Sequence, residues 1–152
     1  MAEDFKRSEI TPMQETVNLI EQLLKNWNID PVEVKDSEKN LWYLVQGSAK
    51  FHLELFQFNK GPDTGMVDCI EAGGIIMRLP QENLLPLYRR LLELNSSSVG
   101  VYFAIRNNLV MLLSTRELAG LDYTELKTLV DEVRYFSDYW DDILMQEFGG
   151  TK

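Results

Sequence analysis

The chain has 152 residues, 45% of them hydrophobic and 26% charged, with a net charge of −9 and a pI near 4.6. One domain with a core of its own is expected at this size, and the acidity argues against nucleic acid and anionic lipid, both of which bind basic surfaces. No apolar run nears the ~18 residues a membrane span needs. The N-terminal MAEDFKRSEITP lacks the apolar core of a secretory signal. The single cysteine, Cys69, suits a reducing compartment, so a cytoplasmic location is expected.

In chain order, residues 1–10 are polar and expected to fray. Thr11 is a helix N-cap with Pro12 at the first helical position. Met13, Val17, Ile20, Leu23 or Leu24 and Trp27 then recur at helical spacing, and the helix should end near Asn28, ahead of Asp30-Pro31. Val32 to Glu38, carrying Glu33, Lys35 and Asp36, fits a charged edge strand. Leu41 to Gln46 and Ala49 to Phe58 are strands around a Gly47-Ser48 turn. In the second, Phe51, Leu53 and Leu55 take one face while Phe56 and Phe58 take the other, so either a bulge shifts the register or both faces are partly covered.

Asn59 to Gly65 is a loop by composition. Met66 to Ala72 and Ile75 to Leu79 are strands, with a bulge or tight turn expected at Gly73-Gly74. Pro80 opens a leucine-rich helix with Pro86 in its first turn or at a kink. Next come two strands joined by Asn107-Asn108: Val99, Val101, Phe103 and Ile105 share one face, Tyr102 and Ala104 the other, and Leu109 to Leu113 are apolar on both. A sheet with helices on one side should show one polar face, and this hairpin does not. The last helix opens on a capping-box pattern, Asp122 and Glu125. It carries a stripe through Leu126, Leu129, Val130, Val133, Phe136, Trp140, Ile143, Leu144 and Phe148, and stops at Gly149-Gly150. From Asp122 onward eight acids face only Lys127, Arg134 and Lys152. They form a solvated, like-charged helix face or steer a basic client.

Catalytic and metal-binding patterns are missing. One histidine, His52, and one cysteine cannot build a zinc site. There is no EF-hand loop, P-loop, dinucleotide fingerprint or nucleophile elbow, and Gly61 to Gly65 lacks the Lys-Ser/Thr and helix start that hold phosphate. Asp141 and Asp142 are adjacent on a helix and diverge by about 100°, which makes them solvated acids rather than a paired site. Cys69 is expected as a buried thiol. No cofactor and no enzymatic activity are expected. The excess lies in large apolar side chains: Trp42, Tyr43, Phe56, Phe58, Tyr102, Leu112, Tyr139 and Trp140 exceed the needs of a one-sided core, and Tyr and Trp anchor protein contacts. These eight are the candidate protein-binding residues.

Arg78-Leu79-Pro80 leading into a helix that ends Leu91-Leu92-Glu93-Leu94-Asn95 resembles the YbjN-like, type III secretion chaperone-like family. So do Tyr102-Phe103-Ala104-Ile105, Ser114-Thr115-Arg116-Glu117-Leu118, and Leu121-Asp122-Tyr123-Thr124-Glu125-Leu126, the resemblance spanning roughly Met66 to Phe148. It implies an α+β fold, an antiparallel sheet of about five strands with an N-terminal, a central and a long C-terminal helix. It further implies an acidic, non-enzymatic homodimer that holds a client protein segment, one relative being a carboxysome assembly factor that binds shell proteins. The alternative from another class is a small-ligand-binding sensory or regulatory domain, which would need an internal pocket with convergent polar groups.

Overall fold

The computed structural model describes residues 9–152, so the expected fraying of residues 1–8 lies outside it. The elements are α1 (Pro12–Asn26), α2 (Pro31–Val34), β1 (Leu41–Gln46), β2 (Ala49–Asn59), β3 (Met66–Arg78), α3 (Leu84–Ser97), β4 (Tyr102–Arg106), β5 (Leu109–Glu117) and α4 (Tyr123–Phe148). The strands form one antiparallel sheet in the order β1-β2-β3-β5-β4. This is the α+β architecture expected from the sequence.

Local chemistry places most boundaries. Thr11 caps α1 by accepting from Gln14 N–H, with Pro12 where a missing donor costs nothing. At α4 the Asp122 carboxylate accepts from Glu125 N–H and the Glu125 carboxylate accepts from Asp122 N–H, a complete capping box. Gly149 closes α4 in the left-handed region, φ 74°. Asn107 and Asn108 both take positive φ, 49° and 63°, as a two-residue turn of this kind requires.

Three expectations need correction. The charged segment after Asp30 is no edge strand: Asp30 caps a single helical turn, accepting from Val32 N–H with Pro31 behind it, and only Lys35 bridges to Trp42. Asp30-Pro31 repeats the start signal of Thr11-Pro12, and the capped turn wins over the weak strand pattern. β3 does not break at Gly73-Gly74 but runs through it, and the irregularity falls between Ile75 and Met77. The two glycines permit close approach instead. A Cβ at Gly73 would overlap the His52 ring and Leu113, and one at Gly74 would overlap Ser137 Oγ. Finally, Pro80 precedes the central helix, which starts at Leu84 after Asn83 in the left-handed region (φ 62°). Pro86 then sits in the first turn, where helical N–H groups have no partner in any case.

Among the described residues, the helices that bury apolar surface all sit on one side of the sheet. Trp42, Leu44, Phe51, Leu53, Ile70, Ala72, Val110, Leu112 and Phe103 point to that side and form one core cluster with Leu23, Leu24, Leu87, Leu91, Val130, Val133 and Leu144. β2 keeps its register along its full pairing with β3. Phe56 and Phe58 therefore lie on the second face with no bulge, alternating with the core side chains as the pleat dictates.

Candidate functional site

The second face of the sheet carries no helix among the described residues. Alternation places Tyr43 and Val45 of β1, Lys50, His52, Glu54, Phe56 and Phe58 of β2, Cys69, Glu71 and Ile75 of β3, Met111, Leu113 and Thr115 of β5, and Tyr102, Ala104 and Arg106 of β4 on this side. At its margins Tyr43 is 62%, Val45 65%, Phe58 54% and Tyr102 38% exposed. At its centre Cys69, Glu71, Met111 and Leu113 are buried with no covering element among the described residues.

An ion network explains the centre. Arg106 Nη1 and Nη2 donate to the two oxygens of Glu71 at 2.6 and 2.7 Å, a bidentate clamp, and His52 Nε2 donates to Glu71 Oε1 at 3.0 Å. Burial pushes the Glu71 carboxyl up, but the hydrogen bonds from His52 and Arg106 outweigh it and hold the group below the ordinary glutamate range. The ladder partners of Arg106 and Glu71 on β5 are Leu109 and Thr115. Those are about 20 Å apart along an extended strand, further than an arginine reaches. The twist of the sheet must therefore bring these strand ends together on this side, and along that diagonal the face is concave. Gly73, lacking a Cβ, lets His52 and Leu113 close over the backbone beneath.

His52, Glu54 and Glu71 place three potential metal-ligating atoms within 4.8 Å of one another. Arg106 already occupies both Glu71 oxygens, and its charge repels a cation at that point, so the trio is an ion-pair network. His52 is thus part of that network. Burial, with Glu117 and Asp68 nearby, pushes the Cys69 thiol up.

The eight candidate residues separate into three places. Trp42 and Leu112 belong to the core beneath the helices, 0% and 1% exposed, and offer no contact surface. Their strands alternate, and parity puts both on the covered side. Tyr43, Phe56, Phe58 and Tyr102 share the concave face, with Phe56 half-buried. Tyr139 and Trp140 lie on α4: Trp140 packs edge-on against Phe103 with Arg90 over its ring, while Tyr139 is exposed and stacks on Tyr135. The α4 acids are mostly engaged. Asp141 is buried and pairs with Lys152 at 2.7 Å, contrary to the solvated role expected for it, and Glu125, Asp131 and Glu147 pair with Arg116, Arg134 and Arg90.

The single apolar face expected for the central helix, Leu84, Leu85, Leu87 or Tyr88, Leu91, Leu92 and Leu94, divides in two. On α3 only Leu87 and Leu91 are buried, whereas Leu85 is 80% and Leu92 69% exposed, with Tyr88 between them at the surface. The spacing of Leu85, Tyr88 and Leu92 forms a second helical stripe, beside β4, the sheet's outer strand. In a helix leucine-rich on all sides, one apolar stripe hides another.

No known family model matches the chain, and no curated protein is similar to it in sequence. Solved structures do match. A chain of the ExsC–ExsE complex superposes with a TM-score of 0.66 at 12% identity, covering 86% of this chain and 93% of that one. A chain of the HopA1–SchA chaperone–effector complex gives 0.60 at 10% identity over 84% and 93%. A chain of the ExoU–SpcU heterodimer, from the type III secretion system of Pseudomonas aeruginosa, gives 0.57 at 16% over 81% and 95%. The fold is type III secretion chaperone-like. At these identities the likeness concerns the fold, and the concave face and the α3 stripe are features of this chain's own residues.

Proposed function

We propose that the protein is a non-enzymatic, dimeric chaperone or adaptor that holds a segment of a client protein on the concave sheet face. The observation that carries this reading is the uncovered face itself: Tyr43, Val45, Phe58 and Tyr102 stand exposed around a buried floor of Met111 and Leu113. Such a face, apolar at the rim and held in shape by the Glu71 clamp, suits an extended or flexible segment. Chaperone–effector complexes among the structural neighbours support the same reading.

The dimer reading rests on α3. Its Leu85–Tyr88–Leu92 stripe, next to the outer strand β4, gives a self-complementary patch for a second copy. The sequence resemblance adds a finer expectation: a cytoplasmic YbjN-like assembly factor of the CcmS kind, with a carboxysome shell protein as client. The small-ligand alternative is favoured by a cavity of about 230 Å³ between β2, β3 and α4, more enclosed than the larger hollows of about 360–420 Å³ on the surface. The enclosed cavity is below the roughly 300–1,000 Å³ usual for ligand pockets.

Light scattering on the purified chain, with capture from a lysate on the immobilised protein, tests the proposal. A dimer that Leu92→Glu converts to monomer, and that retains one dominant partner, is expected. A monomer retaining nothing would overturn it.

A further inference from the structure

The sheet ends on β4, which pairs with β5 in an unbroken register from Tyr102 to Arg106. It has no proline and no bulge, and its first four residues, Tyr-Phe-Ala-Ile, carry no charge. Ile105 is 41% exposed at its margin. A regular apolar edge of this kind is a template on which another chain can add a strand.

The outer side of β4 is occupied at one position by a side chain. Asn95, in the last turn of α3, lies beside Phe103. The Phe103 N–H donates to Asn95 Oδ1 at 2.7 Å, and Asn95 Nδ2 donates to the Phe103 carbonyl at 3.1 Å. In an antiparallel ladder the residue opposite makes the same pair of bonds, one given and one received. Asparagine can imitate it because its side chain carries an acceptor and a donor in the geometry of a peptide group. The Asn95 amide therefore stands where the backbone of a joining strand would be. Outward-facing groups alternate along a strand, so Ile105 also points its N–H and C=O outward, and no protein group bonds to them among the described residues. The other outer strand is closed by its own chain as well: Lys35 bridges to Trp42 of β1, and the Asp36 N–H donates to the Leu41 carbonyl at 2.8 Å.

We propose that Asn95 is an edge guard, which keeps the outer side of β4 closed to strand addition by another copy of this chain. The copy's own β4 is the segment that fits. Turned antiparallel about Ala104, it sets Phe103 of one chain opposite Ile105 of the other, so that the outward-facing groups of both strands pair together, with Tyr102 opposite Arg106 beside them. With Asn95 in place, the Phe103 half of each such pair is already taken. The guard acts on the backbone of β4. It stands or fails separately from the client reading of the concave face and from the α3 stripe.

Hydrogen exchange on the unaltered chain reads the guard first. Phe103 and Ile105 both face outward, yet the Phe103 amide should be protected at least about tenfold more strongly. Equal protection would overturn the proposal. The second arm is a fluorescein-labelled peptide, Lys-Tyr-Phe-Ala-Ile-Arg-Lys, followed by anisotropy. Asn95→Ala should bind it at least about tenfold more tightly than the unaltered chain, since the competing amide is gone, and a peptide methylated at its backbone nitrogens should not bind. Asp122→Ala, which weakens the start of α4, should bind no better than the unaltered chain, and so separates an opened edge from general loosening. Each protein is also measured with Leu92→Glu, so that a dimer through α3 cannot hide the edge. Equal affinity of Asn95→Ala and the unaltered chain, an equal gain in Asp122→Ala, or no binding to Asn95→Ala up to about 1 mM peptide would each overturn the proposal. If Asn95→Ala does not fold, Asn95→Ser takes its place, its hydroxyl being too short to span both Phe103 groups.

Discussion

The two faces of the sheet bury their centres by different physics. On the covered face Leu53, Ile70 and Leu112 are sealed by helices in an apolar core with no charge among its members. On the concave face Glu71 is as deeply buried, yet two neighbouring strands supply its cover: Arg106 from β4 and His52 from β2 lie over it. The first arrangement is insensitive to pH and depends on volume. The second depends on charge, and leaves the aromatic rim free. A sheet can therefore keep one side stable without a second layer, provided its buried carboxylate is fully paired.

The comparison breaks most visibly in the core. Leu53→Ala or Ile70→Ala should cost about 2–5 kcal/mol, read as a lower urea midpoint with an unchanged slope, because a cavity remains where helix and sheet met. Arg106→Ala should cost about 2–3 kcal/mol. That sits below a fully buried pair because Arg106 is partly exposed, and above a surface pair because Glu71 is left buried and unpaired. Acid should single out the concave face. The folded-state pKa of Glu71 is depressed, so its contribution to stability is present above the unfolded glutamate pKa and is lost as the pH falls through the folded value. Melting curves below about pH 5 should therefore converge for wild type and Glu71→Gln, and separate above it, whereas Leu53→Ala keeps its deficit at every pH. Asp122→Ala, remote from both faces, should cost about 1 kcal/mol by removing the α4 cap. At the rim, Tyr43→Ser and Phe58→Ser should shift stability by no more than about 0.5 kcal/mol.

Most of the covered face was legible in the sequence. The caps at Thr11 and Asp122, the Asn107-Asn108 turn and the stripe of α4 are local signals, written within four residues of where they act. What failed depended on contacts distant in sequence. Gly73-Gly74 marked close approach by His52 and Ser137 rather than a break, and neither partner can be inferred from a glycine pair. Trp42 and Leu112 were misplaced because apolar residues on both faces of a strand leave its inward parity open until the helices are seen. The Glu71 clamp joins residues 52, 71 and 106 through the coil of the sheet, which no periodicity reports. Asp141 found its partner in Lys152 only because the tail folds back along α4.

The central claim is that the concave face, and not the core, holds the client. Calorimetric titration of the captured partner into wild type and into the triple variant Tyr43→Ser, Phe58→Ser, Tyr102→Ser tests it most directly. The account predicts an affinity at least about tenfold weaker for the variant, with both proteins melting at nearly the same temperature. Equal affinity in a properly folded variant would contradict it.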